Sequence, residues 1–183
     1  MILKANRRVA FKRAAVLVLW ITVVLLFLLS ACGYHFANRN PELGPDFKTI
    51  AIPIFTNDTS ESTLEKVFTK SFRDEFILNS NLSLVSVKQA DLVLKGRVQA
   101  ISTSVVSYRE PEESIESRVR ISISVNCKNT KNGQIVWQSS MGYYQEYFQN
   151  PDPIITSQNR QKAIEFVARY LAEQVHQRLA ARF

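Results

Sequence analysis

Few of the side chains in this sequence that could do chemistry have workable partners nearby. A nucleophilic enzyme needs an activated Ser or Cys, a base within reach and a third group to orient that base. The chain has two cysteines and two histidines. Cys127 falls in the register of Val119, Ile121, Ile123 and Val125, the apolar side of an alternating run where a thiol is desolvated and inert. His176 stands among Gln174, Gln177 and Arg178 with no ligand-forming residue at metal spacing, and reads as a solvated surface histidine. Glu110, Glu112, Glu113 and Glu116 crowd one segment, yet nothing there desolvates one carboxyl to split it from another, as acid/base work requires. The five glycines are never closer than nine residues apart, which excludes a phosphate-cradling loop. No catalytic residue, metal or dissociable cofactor is expected.

The basic residues carry more information. Lys95 and Arg97 share one parity of a strand, Arg118 and Arg120 share the polar parity of the next, Arg109 lies near the tip between them, and Lys128 and Lys131 flank a second turn. Arg in such a setting suits bidentate contact with phosphate or carboxylate, while an exposed strand face carrying solvated charge is the plainer reading. The 23 Lys and Arg against 16 Asp and Glu, a formal +7, would suggest a polyanion. Five of those positive charges, however, lie in the first thirteen residues, and no acidic residue precedes Glu42. Aromatic interleaving of the kind that binds nucleic acid is missing, so no nucleic-acid partner is expected.

That basic block precedes Ala14 to Leu29, an uncharged apolar run of sixteen residues. A spanning helix asks for about 20, whereas the apolar core of a secretory signal needs roughly 7–15 behind a positive start. The run ends in Leu29-Ser30-Ala31-Cys32, which resembles the lipobox of bacterial lipoproteins. The resemblance implies cleavage of residues 1–31, acyl and diacylglycerol modification of Cys32, and attachment to a membrane by lipid chains. Multiple chains anchor stably where one binds only marginally. Gly33 in place of Asp at the next position implies the outer membrane. Removing residues 1–31 leaves 152 residues with 18 basic and 16 acidic side chains, so most of the basicity leaves with the signal.

The elements that must position these residues follow from periodicity. Residues 32–46 are polar and broken by Pro41, Gly44 and Pro45, a tether to a single domain over 47–183. Residues 47–55 predict a first strand that Pro53 weakens at its end. Leu64, Val67, Phe68, Phe72, Phe76 and Ile77 share a helical face and predict a helix over 62–78. A strand region starts around Leu82, Leu84 and Val87. Residues 91–107 read as a long strand with Gly96 as a bulge site, residues 108–114 as a hairpin tip, and 115–127 as a cleanly alternating strand. Asn132-Gly133 predicts a hairpin turn into a strand over 134–140. Asn150-Pro151 and Asp152-Pro153 break the chain before a last helix from 157 to 181, with Ile164, Val167, Leu171, Val175 and Leu179 on one face. The order predicts an α+β fold with two helices on one face of a roughly four-stranded mixed or antiparallel sheet.

Cys32-Gly33-Tyr34-His35-Phe36, the segment KTIAIPIFTN with the helix after it, Leu94 to Val98, and YFQNP before a long terminal helix together resemble the lipopolysaccharide-assembly lipoprotein family, LptE. The resemblance implies an outer-membrane lipoprotein that plugs an LptD-type β-barrel translocon, helps it assemble, and assists insertion of lipopolysaccharide into the outer leaflet. It implies lipopolysaccharide contact by the basic hairpin residues, Arg109, Arg118, Arg120, Lys128 and Lys131. The glutamates around Arg109 depart from the family pattern and shift that role toward Lys128 and Lys131. First-strand patterns like Ile54-Phe55-Thr56-Asn57 are also similar to envelope lipoprotein modules that bind and regulate other machines, such as cell-wall synthase activators or secretion-pore lipoproteins.

Overall fold

A computed structural model describes residue 20, residues 47–107 and residues 116–182. Cys32 and its tether, the hairpin tip with Arg109, and all of the signal segment except Trp20 lie outside the described residues.

The sheet is a mixed one of six strands, two more than expected because two strands are only two residues long. Its backbone is the antiparallel meander β4 (Leu92–Ser107), β5 (Glu116–Asn129) and β6 (Ile135–Phe148). Beside β4, and parallel to it, lie β1 (Thr49–Ala51) and β2 (Thr56–Asn57), while β3 (Ser83–Leu84) pairs parallel with β1 at the edge. The first strand therefore stops at Ala51, short of the 47–55 expectation. Pro53 has no N–H to give a ladder and lies in the crossing between β1 and β2.

β5 follows its sequence alternation closely. Ser117, Val119, Ile121, Ile123, Val125 and Cys127 are buried, and the residues between them face the other way. Helix α1 (Leu64–Asn79) lays Leu64, Phe68, Phe72 and Phe76 on that buried face, one every four residues, each burial contributing roughly 2 kcal/mol. Ile77 was expected on this stripe. One step of about 100° past Phe76 instead turns it outward, and it is 58% exposed. Helix α2 (Pro153–Ala180) adds Ile164, Val167, Leu171, Val175 and Leu179 to the same core, so both helices cover one face of the sheet. It starts four residues earlier than predicted. The Asp152 carboxylate accepts from the Ile154 N–H at 2.8 Å, and Pro153 occupies a first-turn position where its missing N–H costs nothing. The dipeptide read as a breaker is a cap.

Gly96 corrects another expectation. It pairs regularly with Val125, and the irregularities of β4 fall between Val98 and Ala100 and between Val105 and Ser107. What Gly96 supplies is room: a Cβ there would lie 2.0 Å from Cε1 of Phe55, whose ring passes over the strand toward Phe68 and Phe72.

Candidate functional site

Because β5 alternates, all its even-numbered side chains stand on the face away from the helices, and the register says what they meet. Arg118 lies opposite Ser104 on β4 and Glu146 on β6; Arg120 lies opposite Ser102 and Tyr144. Arg118 donates to Glu146 Oε1 from Nε at 3.2 Å and from Nη2 at 2.5 Å, and these bonds hold its guanidinium firmly protonated. The Arg118 guanidinium also sits 4.2 Å above the centre of the Tyr144 ring, with that of Arg120 at 5.2 Å. The result is a ledge in which an aromatic ring gathers two cations, one neutralised by Glu146 and one, Arg120, without a carboxylate partner among the described residues. The exposed hydroxyls of Ser102 and Ser104 border it on the β4 side. A guanidinium with free donors beside hydroxyls and a ring suits an anionic, hydroxylated ligand such as a phosphorylated sugar.

The structure does not bring together all the basic residues read from the sequence. Arg118 and Arg120 share the ledge. Lys128 lies ten residues further along the same strand, about 33 Å of extended chain. There its aliphatic stem passes Gly133, which adopts φ 73° in the turn. Lys131 is tied down. Its Nζ lies 3.1 Å from Oδ1 of Asp91, whose other oxygen accepts the backbone N–H of Lys48 and of Thr49, each at 3.1 Å, and the Thr49 hydroxyl at 2.9 Å. The Lys48 amide and the Lys131 ammonium, followed by Thr49, hold the Asp91 carboxyl well below the usual carboxylate range. This knot fastens the start of β1 to the start of β4 and to the 130–134 turn. Arg97 is paired with Asp58 at 3.1 Å. Sequence reasoning missed Tyr144, Glu146 and Asp91, each of which meets its cation only through strand register or long-range pairing.

His176 corrects a further expectation. It is 2% exposed, not solvated, and its Nδ1 lies 3.2 Å from Oε1 of Glu75 on α1, with the Phe76 ring against its edge at 5.1 Å. Glu75 is itself held by the Asn79 side-chain amide at 3.0 Å. The arrangement suits a neutral imidazole donating from Nδ1, since among the described residues buried Nε2 has no hydrogen-bond partner. Burial lowers the His176 pKa from 6.5, against the opposing pull of Glu75. Cys127 is buried as expected, and desolvation pushes its thiol up to about 12. A second long-range pair joins Arg160 on α2 to Glu61, just before α1; it is bidentate and partly buried, and the Arg160 hydrogen bond lowers the Glu61 pKa. Among the described residues no helix is long and apolar enough to cross a membrane.

Residues 47–179 match the family model LptE, described as lipopolysaccharide-assembly. No curated protein matches the chain. Solved structures are similar to the chain at low identity. A hypothetical protein from Chlamydia trachomatis is similar at 9% identity, with 74% of this chain and 99% of that one covered and a TM-score of 0.51. An uncharacterized lipoprotein B from Nitrosomonas europaea is similar at 9% identity, with coverage of 81% and 91% and a TM-score of 0.50. The rare lipoprotein B from Shewanella oneidensis is 13% identical, with coverage of 72% and 94% and a TM-score of 0.48.

Proposed function

The chain belongs to the lipopolysaccharide-assembly (LptE) family, and on that premise we propose that it is a non-catalytic lipoprotein of the outer membrane that supports an LptD-type β-barrel and the delivery of lipopolysaccharide. The observation that carries this reading is the reach of the family match, which runs from the start of β1 almost to the end of α2. The lipobox-like stretch ending at Cys32 supports attachment through acyl chains, with two or more chains giving a stable hold on the bilayer. Arg118 and Arg120, grouped on Tyr144, are the side chains best disposed to meet phosphate or acidic sugar. Lys128 and Lys131 form a separate and weaker station, since Lys131 already serves Asp91. The outward sheet face, lined with Ser102, Ser104, Ser122, Ser124 and Gln138, has the polarity that a barrel lumen presents. Cys127 and His176 are sealed in the core, where neither can reach a substrate.

The test is to purify the full-length protein from outer membrane and identify its largest partner. A β-barrel of the LptD type is expected. Recovery with only periplasmic or peptidoglycan-linked partners would contradict the proposal and favour a module regulating another envelope machine. Cys32→Ala is expected to leave an unprocessed, unacylated precursor, and normal acyl labelling of that variant would remove Cys32 from the account.

A further inference from the structure

On the opposite side of the domain from β6, the crossing from β1 to β2 displays a large apolar side chain on a backbone held in place from both sides. Ile52 and Phe55 are each only 2% exposed, whereas Ile54 between them is 67% exposed. Arg73 on α1 closes its guanidinium on the Ile52 carbonyl, donating from Nε at 2.9 Å and Nη2 at 2.7 Å. The Phe55 N–H donates to the Thr69 hydroxyl at 2.9 Å, and Pro53 fixes its own φ. Two core anchors, three side-chain hydrogen bonds and a proline thus hold the segment whose tip is Ile54. With Ile77 and Leu84 it lines a groove of about 380 Å³. A β-branched side chain on a fixed backbone loses little freedom when a partner covers it, which is what an interface anchor requires.

Charge around the groove narrows the occupant. Lys70 pairs with Asp74 at 2.5 Å, while Arg73 donates to the neutral Ile52 carbonyl and keeps its charge, so the groove rim is net positive. Lys66 remains without an ion-pair partner among the described residues. We propose that this groove docks a segment of a partner protein that places an apolar side chain on Ile54, Ile77 and Leu84 and a carboxylate on Lys66. A phosphorylated lipid headgroup would call for several cations with donors to spare, and with Nε and Nη2 of Arg73 turned onto Ile52 only the Lys66 ammonium is wholly free among the described residues lining the groove. The inference rests on the reading above only for which partner supplies the segment, the barrel.

A photocrosslinking residue at position 54 of the full-length protein in cells tests it, together with Ile54→Glu, Ile54→Leu and Lys66→Glu, each checked by thermal melting. The crosslink is expected on the barrel that co-purifies with the protein. Ile54→Glu is expected to cut barrel recovery by about ten-fold, the equivalent of 1.4 kcal/mol. Ile54→Leu should retain recovery, and Lys66→Glu should lower it most at low salt. If the barrel still co-purifies with Ile54→Glu and nothing crosslinks at 54, the groove is not a docking site and the proposed function stands. A crosslink to a different envelope protein, with no barrel recovered, would overturn the function and keep the groove. Ile54-dependent binding to phosphatidylglycerol vesicles without any protein crosslink would replace the partner with a lipid surface. Should Ile54→Glu fail to fold, the crosslink and Lys66→Glu decide.

Discussion

Two pairs of a basic side chain with a carboxylate in this molecule are built from similar groups and do different things. His176 and Glu75 meet between α1 and α2 with almost no access to water, while Arg118 and Glu146 meet across β5 and β6 on the open sheet face. In the sealed pair burial dominates and keeps the histidine neutral, so the contact acts as a hydrogen bond that joins two helices. In the open pair water screens the charges, and the contact contributes little to stability. The open pair instead holds Arg118 against Tyr144, beside Arg120, which has no carboxylate partner among the described residues. The sealed side of the sheet holds the fold together, and the open side is free to bind.

The comparison can be broken first on the sealed side. Gly96→Ala drives a methyl into the Phe55 ring and is expected to cost about 3 kcal/mol in chemical denaturation. A loss below about 0.5 kcal/mol would mean that the ring moves aside freely and the core is not close-packed there. Glu75→Ala leaves the His176 Nδ1–H buried without an acceptor and is expected to cost about 2 kcal/mol. The pH dependence sharpens the same point. The folded His176 pKa lies below 6.5, so below that pH the unfolded chain binds more protons than the native one. Stability contributed by neutral His176 is therefore fully present above pH 6.5 and declines as pH falls below it. His176→Phe should flatten this part of the profile, and an unchanged slope would assign it to other groups. The smallest effect belongs to the open side, where Arg118→Ala is expected to leave stability nearly unchanged. A loss comparable to that of Glu75→Ala would erase the distinction between the two pairs.

Much of the layer structure was legible because it depends on local period. The parity of β5 and the four-residue spacing of Leu64, Phe68, Phe72 and Phe76 need no knowledge of distant residues. Gly96 and His176 were misread for the opposite reason. The purpose of Gly96 is set by Phe55, and the burial of His176 by Glu75, partners far away in the chain. The ledge was half legible. Arg118 and Arg120 could be placed on the polar face, but their partners depend on register to the residue. A two-residue loop at Asn132-Gly133 would set Tyr147 opposite Arg118 and Gln145 opposite Arg120. The turn that forms spans residues 130–134, with Gly133 in the left-handed region, and pairs Lys128 with Ile135; one extra β6 residue, Val136, before the Cys127–Trp137 pair then leaves the register one position off. That slip brings Glu146 and Tyr144 to the open face, since a shift of one residue exchanges the faces of a strand. The separation of Lys128 and Lys131 from Arg118 and Arg120 follows from strand length alone.

The central claim is that the ledge, and not the turn end of the sheet, meets the anionic glycolipid. It is tested most directly by measuring lipopolysaccharide affinity of the full-length protein against Arg118→Glu/Arg120→Glu and Lys128→Glu/Lys131→Glu double variants at two salt concentrations. The first variant is expected to lose about ten-fold or more, with a weaker salt dependence, and the second to stay within about two-fold of the parent. Equal affinity in the ledge variant, or a larger loss in the turn variant, would contradict the account.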